Sequence, residues 1–217
     1  MTLFAQPPLP RAIRESLPRS LQPYRTWLVE HHHFLRAWLR NPRAVGAMAP
    51  SGRALAQAIT RHVGATTGPV LELGCGTGVF TRALLAQGVA EHDLLLVERD
   101  AGFAQSLRER FPTAVVLEAD AGAGLLRSAL RALPQPGAAI CGLPLLNMVP
   151  AQQVRVMHSL FSVLQPGAAL YLFTYGPRSP LRGAVSRRLG LEAELVETVF
   201  GNLPPARVWR VLRRTGN

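Results

Sequence analysis

The chain has 217 residues, 48% of them apolar, enough for one domain-sized core with an extension. No apolar run approaches the ~18–20 residues that cross a bilayer, and two cysteines, Cys75 and Cys141, exclude a disulfide framework and the usual four-ligand metal shell. The formal net charge is +11 with all 24 basic residues arginine, which points to an anionic partner, either nucleic acid or the headgroups of a membrane surface.

The charge is segregated. Residues 1–45 carry seven Arg against two Glu, residues 46–177 nine against eight acids, and residues 178–217 eight against three. Arginine-rich codon usage explains the missing lysines but not this distribution. The first residues lack a basic-then-apolar leader pattern, so residence on the cytoplasmic side is expected.

Prolines 7, 8, 10, 18 and 23 make the opening residues an extended arm. From Tyr24 to Arg40, Trp27, Phe34, Leu35 and Trp38 recur at helical spacing, with Arg25, Glu30, Arg36 and Arg40 on much of the other side. Such a helix suits the plane of an anionic membrane interface, where each surface-facing Arg contributes about 1 kcal/mol; a lid packed over the catalytic domain is the alternative. His31, His32 and His33 are consecutive, point in different directions and make a poor metal site. The expected division is an arm and amphipathic helix over 1–45 and a second domain over 46–217.

A helix is predicted over Ser51–Val63, with Ser51 as its N-cap. Strands follow at about 69–73, 93–98, 114–118, 137–142 and 168–175, alternating with helices near 79–87, 101–111, 122–132, 150–164 and 180–189. This alternation predicts a parallel sheet covered by helices on both faces. Two closing strands, 192–200 and 206–213, flank the short turn Gly201-Asn202-Leu203-Pro204-Pro205 and should form an antiparallel hairpin.

Val70–Phe80 reads Val-Leu-Glu-Leu-Gly-Cys-Gly-Thr-Gly-Val-Phe, a strand, a glycine-rich turn and a helix start. Gly74, Gly76 and Gly78 remove side chains where the backbone must bend and approach a ligand, and the helix from Val79 points free N–H groups at the same place. A dinucleotide loop would read G-x-G-x-x-G, whereas here Val79 stands at the third glycine position. Ligands in such sheets bind beyond the carboxyl ends of the strands. Glu98 ends the second strand, where it can accept from a ribose diol or cap a helix; Asp120 ends the third, where it can accept from an adenine amine or cap a helix.

The order acid-x-Gly-x-Gly-x-Gly resembles the first motif of class I S-adenosyl-L-methionine (SAM) methyltransferases. That resemblance implies a Rossmann-like α/β fold with a seven-stranded, mostly parallel sheet, an antiparallel last strand and helices on both faces. It implies SAM as cofactor and S-adenosyl-L-homocysteine as product, held by Gly74, Gly76, Thr77 and Gly78, by Glu98 with Arg99, and by Asp120 with Ala121. It also implies Glu72 near the methionine amine and a backbone carbonyl presented at Gly142.

Adenine-N6 enzymes of this class carry Asn/Asp-Pro-Pro-aromatic or Asn-Leu-Pro-aromatic after the fourth strand, to bind the target amine and stack on its base. Gly142-Leu143-Pro144-Leu145 offers neither the amide nor the ring. Other segments resemble the bacterial phospholipid N-methyltransferases: Phe34-Leu35-Arg36-Ala37-Trp38-Leu39 with Asn41-Pro42, Val45-Gly46-Ala47-Met48-Ala49-Pro50-Ser51, Phe173-Thr174-Tyr175-Gly176-Pro177, and Asn202-Leu203-Pro204-Pro205-Ala206-Arg207-Val208-Trp209. This second resemblance implies methylation of phosphatidylethanolamine toward phosphatidylcholine on the inner face of the cytoplasmic membrane. The expected partners are an anionic membrane and its phospholipid, without nucleic acid or an obligate protein partner, and a monomer is expected. RNA adenine or another amino lipid such as ornithine lipid is the alternative acceptor.

By the strand-end rule, Tyr175 and Asn202 are the candidate catalytic contacts to the acceptor amine, as a hydroxyl or ring face and as a turn residue on the cofactor side. Ser51, Arg53, Leu143, Arg178 and Arg207 are candidate substrate contacts, the arginines for a lipid phosphate. Trp27, Phe34, Arg36, Trp38 and Arg40 are the candidate membrane contacts. No Ser-His-Asp or Cys-His set supplies a base, and His158 is read as a surface or packing residue.

Overall fold

The computed structural model describes residues 50–124, 126–202 and 205–214; Trp27, Phe34, Arg36, Trp38, Arg40 and the segment 45–49 lie outside them. In chain order the elements are α1 (Pro50–Thr60), β1 (Val70–Leu73), α2 (Val79–Ala86), β2 (Leu94–Glu98), α3 (Ala101–Arg110), β3 (Val115–Glu118), α4 (Leu126–Ala129), β4 (Ala138–Cys141), α5 (Pro150–Phe161), β5 (Ala169–Thr174), α6 (Gly183–Leu189), β6 (Leu191–Val199) and β7 (Ala206–Arg213). The strands form one seven-stranded sheet in the order β3-β2-β1-β4-β5-β7-β6. The first five pair in parallel, and β7 runs antiparallel to both β5 and β6. The sequence order reverses between β1 and β4, so the crevice for a ligand opens beyond their carboxyl ends.

The apolar runs of the strands are continuous because both faces are covered. Alternate residues go to opposite sides: Leu71, Leu73, Ala139, Cys141, Leu170 and Leu172 join Met157 and Leu160 of α5, while Val70, Leu94, Leu96 and Ile140 meet Ile59, Leu84 and Leu107 of α1, α2 and α3. Each fully buried leucine of this kind contributes about 1.5–3 kcal/mol of transfer free energy. The same alternation sends Glu72 to the α2 face, beside Val70.

Three expectations change. The helix expected over 122–132 shrinks to Leu126–Ala129. Gly122 donates to Asp120 Oδ1 at 2.7 Å and Gly124 takes a φ of 73°, so a turn replaces the first helical residues. The last helix starts at Gly183 rather than 180, because the Pro180 carbonyl accepts from Gln153 at 3.0 Å. Ser51 lies inside α1 rather than capping it, since the helix begins at Pro50, a residue suited to a first turn.

Candidate functional site

The glycine loop is held from below and from both sides. Gly74, Gly76 and Gly78 all have positive φ, at 73°, 52° and 70°. A Cβ at Gly74 would lie 2.7 Å from Leu143 Cδ2, and one at Gly78 3.0 Å from the Phe111 ring. At Gly76 nothing lies within 4 Å, so this glycine alone of the three faces open space. Gly78 caps α2 through its backbone conformation with no side chain over the helix end, leaving the first N–H groups of that helix for a ligand. The loop is also fixed from outside: Arg82 and Arg110 both donate to the Thr77 carbonyl, at 3.1 and 2.9 Å.

Glu98 joins the loop to the end of β2. Its Oε2 accepts from Gly76 N at 2.8 Å, and its Oε1 accepts from Arg99 N at 2.8 Å and Asp100 N at 2.9 Å. The helix-capping alternative is thereby assigned elsewhere: Asp100 Oδ1 accepts from Phe103 N at 3.0 Å and caps α3. Three amides orient the Glu98 carboxylate, which retains lone pairs for a diol. Asp120 lies two residues past β3, holds the Gly122 amide and stands 4.0 Å from the exposed Arg99 guanidinium. It caps no helix, since α4 begins at Leu126. Ala121 is buried in the core on the α5 side.

Glu72 stands beneath the loop, fully buried. Thr81 Oγ1 donates to its Oε2 at 2.7 Å, while Oε1 has no hydrogen-bond partner among the described residues. Desolvation raises its pKa from 4.5 to about 8, with Thr81 opposing and the Glu98 charge adding to the rise. Between those values the folded chain keeps a proton that the unfolded chain has lost. Stability is therefore fully present below about pH 4.5 and falls as pH rises through about 8. The Glu72→Gln variant should remove this slope and be more stable than the wild type at pH 9 by on the order of a few kcal/mol, and so melt above it; parallel melting-temperature curves from pH 5 to 9 would contradict it.

Cys75 and Cys141 are buried thiols, the first raised well above its ordinary range and the second to about 12, both by desolvation. Among the described residues no His, Cys, Asp and Glu groups are gathered for a metal. His158 is exposed on α5.

On the acceptor side, Gly142 lets β4 reach the loop: its N–H donates to Leu73 O at 2.8 Å, and a Cβ there would lie 2.7 Å from Gly74 O. Leu143 leans over Gly74, and Leu145 is buried in the core. Tyr175 follows β5 directly and hydrogen-bonds the side chain of Asn202, which is buried in the β6–β7 turn. The two residues proposed from separate strand ends therefore meet. Burial raises the Tyr175 pKa against the opposing effect of Asn202, so the phenol stays neutral. Its ring packs edge-on to Phe173 at 5.6 Å, and Phe173 to Phe80 of α2 at 5.8 Å, which links the acceptor side to the glycine-loop helix.

Arg53 and Arg178 are exposed at this rim. Arg207 is partly committed, since Nη1 donates to Gly176 O at 3.1 Å and holds the chain beside Tyr175. Sequence reading missed Gln153. Fully buried on α5, its Nε2 donates to Leu145 O at 2.7 Å and Pro180 O at 3.0 Å, and its Oε1 accepts from Arg182 N at 3.0 Å. One amide thus ties the loop after β4 to the loop after β5. Its signal was a lone polar residue on the Val156, Met157 and Leu160 stripe.

Residues 70–167 match the family of methyltransferase domains. A small-subunit ribosomal RNA methyltransferase A of Synechococcus sp. (strain JA-2-3B'a(2-13)) is 35% identical over 71% of this chain, which spans 54% of that relative's length, about half. An ornithine lipid N-methyltransferase of Singulisphaera acidiphila is 29% identical over 61% of this chain and 69% of its own. Among solved structures, a TehB-like SAM-dependent methyltransferase from Corynebacterium glutamicum superposes with a TM-score of 0.58 at 17% identity, over 86% of this chain and 99% of that one. The fold is that of the class I methyltransferases, for which the sequence resemblance implies SAM as cofactor. The site fits that cofactor on its own terms: an open cradle at Gly76, a backbone-oriented carboxylate at Glu98, and beneath them Glu72 Oε1, without a hydrogen-bond partner among the described residues.

Proposed function

We propose that this SAM-dependent methyltransferase methylates the primary amine of a membrane amino lipid, phosphatidylethanolamine first, and carries it through its mono- and dimethylated forms. One observation carries the reading. The wall beside the glycine loop is the aliphatic Leu143, where a base-methylating enzyme of this class needs an amide and a ring, and the polar contact is the Tyr175–Asn202 pair. The lipid relative and the arginine-rich ends of the chain support it.

When bound, SAM supplies an electrophilic methyl group on a sulfonium. The residues that would hold it are the Gly74–Gly78 loop, Glu98 and Asp120. The rest is positioning, worth several kcal/mol when a lone pair is aligned and water excluded. Neutral Tyr175 offers a hydroxyl oriented by Asn202 and a ring face for a cation that persists as methyl groups accumulate. Segments 142–149, 175–182 and 199–202 contain no Asp, Glu or His, and in this reading the ammonium proton leaves to water.

The test is transfer of label from radioactive SAM to anionic vesicles containing phosphatidylethanolamine, with the lipids separated by degree of methylation. Label in lipid is expected. The RNA relative motivates a parallel arm with small-subunit ribosomal RNA, and label there alone would replace this reading. Deleting residues 1–40 should weaken vesicle affinity about tenfold or more, as loss of several interfacial arginines and tryptophans requires. Calorimetry with S-adenosyl-L-homocysteine should be unaltered by the deletion. Unchanged vesicle affinity would count against the amphipathic helix.

A further inference from the structure

Four large apolar side chains stand exposed among the described residues, and three of them share the carboxyl rim of the sheet. Leu146 and Val149 follow β4, exposed by 51% and 56%; Phe200 stands in the β6–β7 turn, exposed by 81%. In the order β4-β5-β7-β6 these two loops are three strand spacings apart, about 14 Å. That is the width of a face rather than a point. Single exposed apolar residues are ordinary, but the charge around these three is not.

The rim divides into two halves. Beyond β2 and β3 it carries Glu98, Asp100 and Asp120, the half that suits a nucleoside. Beyond β4, β5 and the hairpin, together with the first turns of α1, segments 50–57, 142–153, 175–182 and 199–202 contain no acid at all. Arg53, Arg178 and Arg182 are exposed there. The contact that fixes α1 in this group is the approach of Gly201 to Ala54, where a Cβ on the glycine would lie 3.7 Å from the alanine methyl.

We propose that this acid-free half of the rim is a membrane-docking face. Phe200, Leu146 and Val149 enter the interfacial layer of an anionic bilayer, and Arg53, Arg178 and Arg182 face its headgroups. The inference rests on the amino-lipid reading above and adds to it the surface and the orientation. Asn202 lies two residues from Phe200, so docking brings the Tyr175–Asn202 pair to headgroup depth and the acceptor amine reaches it without leaving the bilayer. Two aliphatic side chains and one ring suit hydrocarbon better than nucleobases, which bind on successive aromatic platforms.

The test uses the full chain with Phe200→Cys, labelled with an environment-sensitive fluorophore. Buried Cys75 and Cys141, with their raised pKa values, leave the new thiol as the reactive one. On vesicles of phosphatidylglycerol and phosphatidylethanolamine the label should shift to the blue and be quenched by nitroxides on the acyl chains. The same label at Arg188→Cys, near the start of β6 at the opposite end of the sheet, should not change. Replacing Phe200, Leu146 and Val149 together by serine should weaken vesicle affinity about tenfold or more, with S-adenosyl-L-homocysteine binding retained as the control for folding. A chain that binds vesicles while the label at position 200 stays aqueous overturns the docking face and leaves the lipid reading intact. Failure to bind vesicles at all removes both, and a blue shift with short RNA in place of vesicles assigns the face to nucleic acid instead.

Discussion

The Gly76→Asn variant is expected to lose SAM affinity by about a hundredfold or more, roughly 2.7 kcal/mol, while its melting temperature moves by only a few degrees. Asparagine tolerates the left-handed backbone that a φ of 52° requires, and a Cβ at this position meets no protein atom within 4 Å. The side chain therefore fills space that the fold does not use and in which the proposed SAM site lies. Gly142→Ala should behave in the opposite way. Its Cβ would lie 2.7 Å from the Gly74 carbonyl, a backbone atom that cannot swing aside, so about 1–3 kcal/mol of stability should be lost. Calorimetric titration with SAM beside thermal melts separates the two, and a Gly76→Asn variant that binds SAM like the wild type would contradict the cradle.

The second large effect belongs to the acceptor side. Tyr175→Phe and Asn202→Ala should each lower turnover on lipid roughly 10- to 100-fold, matching the ~1–3 kcal/mol lost when a buried polar group is deprived of its partner. SAM affinity should stay as it is, because neither residue belongs to the glycine loop or the β2 end. The pH profile carries further information. Burial holds the Tyr175 phenol neutral across the ordinary range, so the rise of rate with pH reports loss of the acceptor's ammonium proton, and Tyr175→Phe should keep that rise at a lower level. A rate that becomes independent of pH in Tyr175→Phe would make the phenol the base instead.

The alternation of short apolar strands with helices made the sheet legible, and the strand edges fall within a residue or two of expectation, with Gly and Pro punctuating β1, β4 and the closing hairpin. The glycine loop was legible for the same reason: three glycines in five residues have few uses other than close approach. Local sequence left Glu98 open between a diol acceptor and a helix cap; the Gly76 amide, 22 residues away, draws it to the loop, and Asp100 caps α3 instead. The convergence of Arg82 and Arg110 on Thr77 is likewise tertiary, the second contact spanning 33 residues. The helix expected after Asp120 failed because Ala-Gly-Ala-Gly costs too much backbone entropy to extend it and offers Asp120 a turn amide. Gln153 was hidden by its type, since polar residues on helices are usually solvated and this one spends its amide on two loops.

The central claim is the identity of the acceptor, and a competition in one vessel tests it most directly. The full chain receives labelled SAM with phosphatidylethanolamine vesicles, ornithine-lipid vesicles and small-subunit ribosomal RNA present together. Label is expected in the lipid fraction, with phosphatidylethanolamine foremost and its trimethylated form appearing last. Label confined to RNA would contradict it.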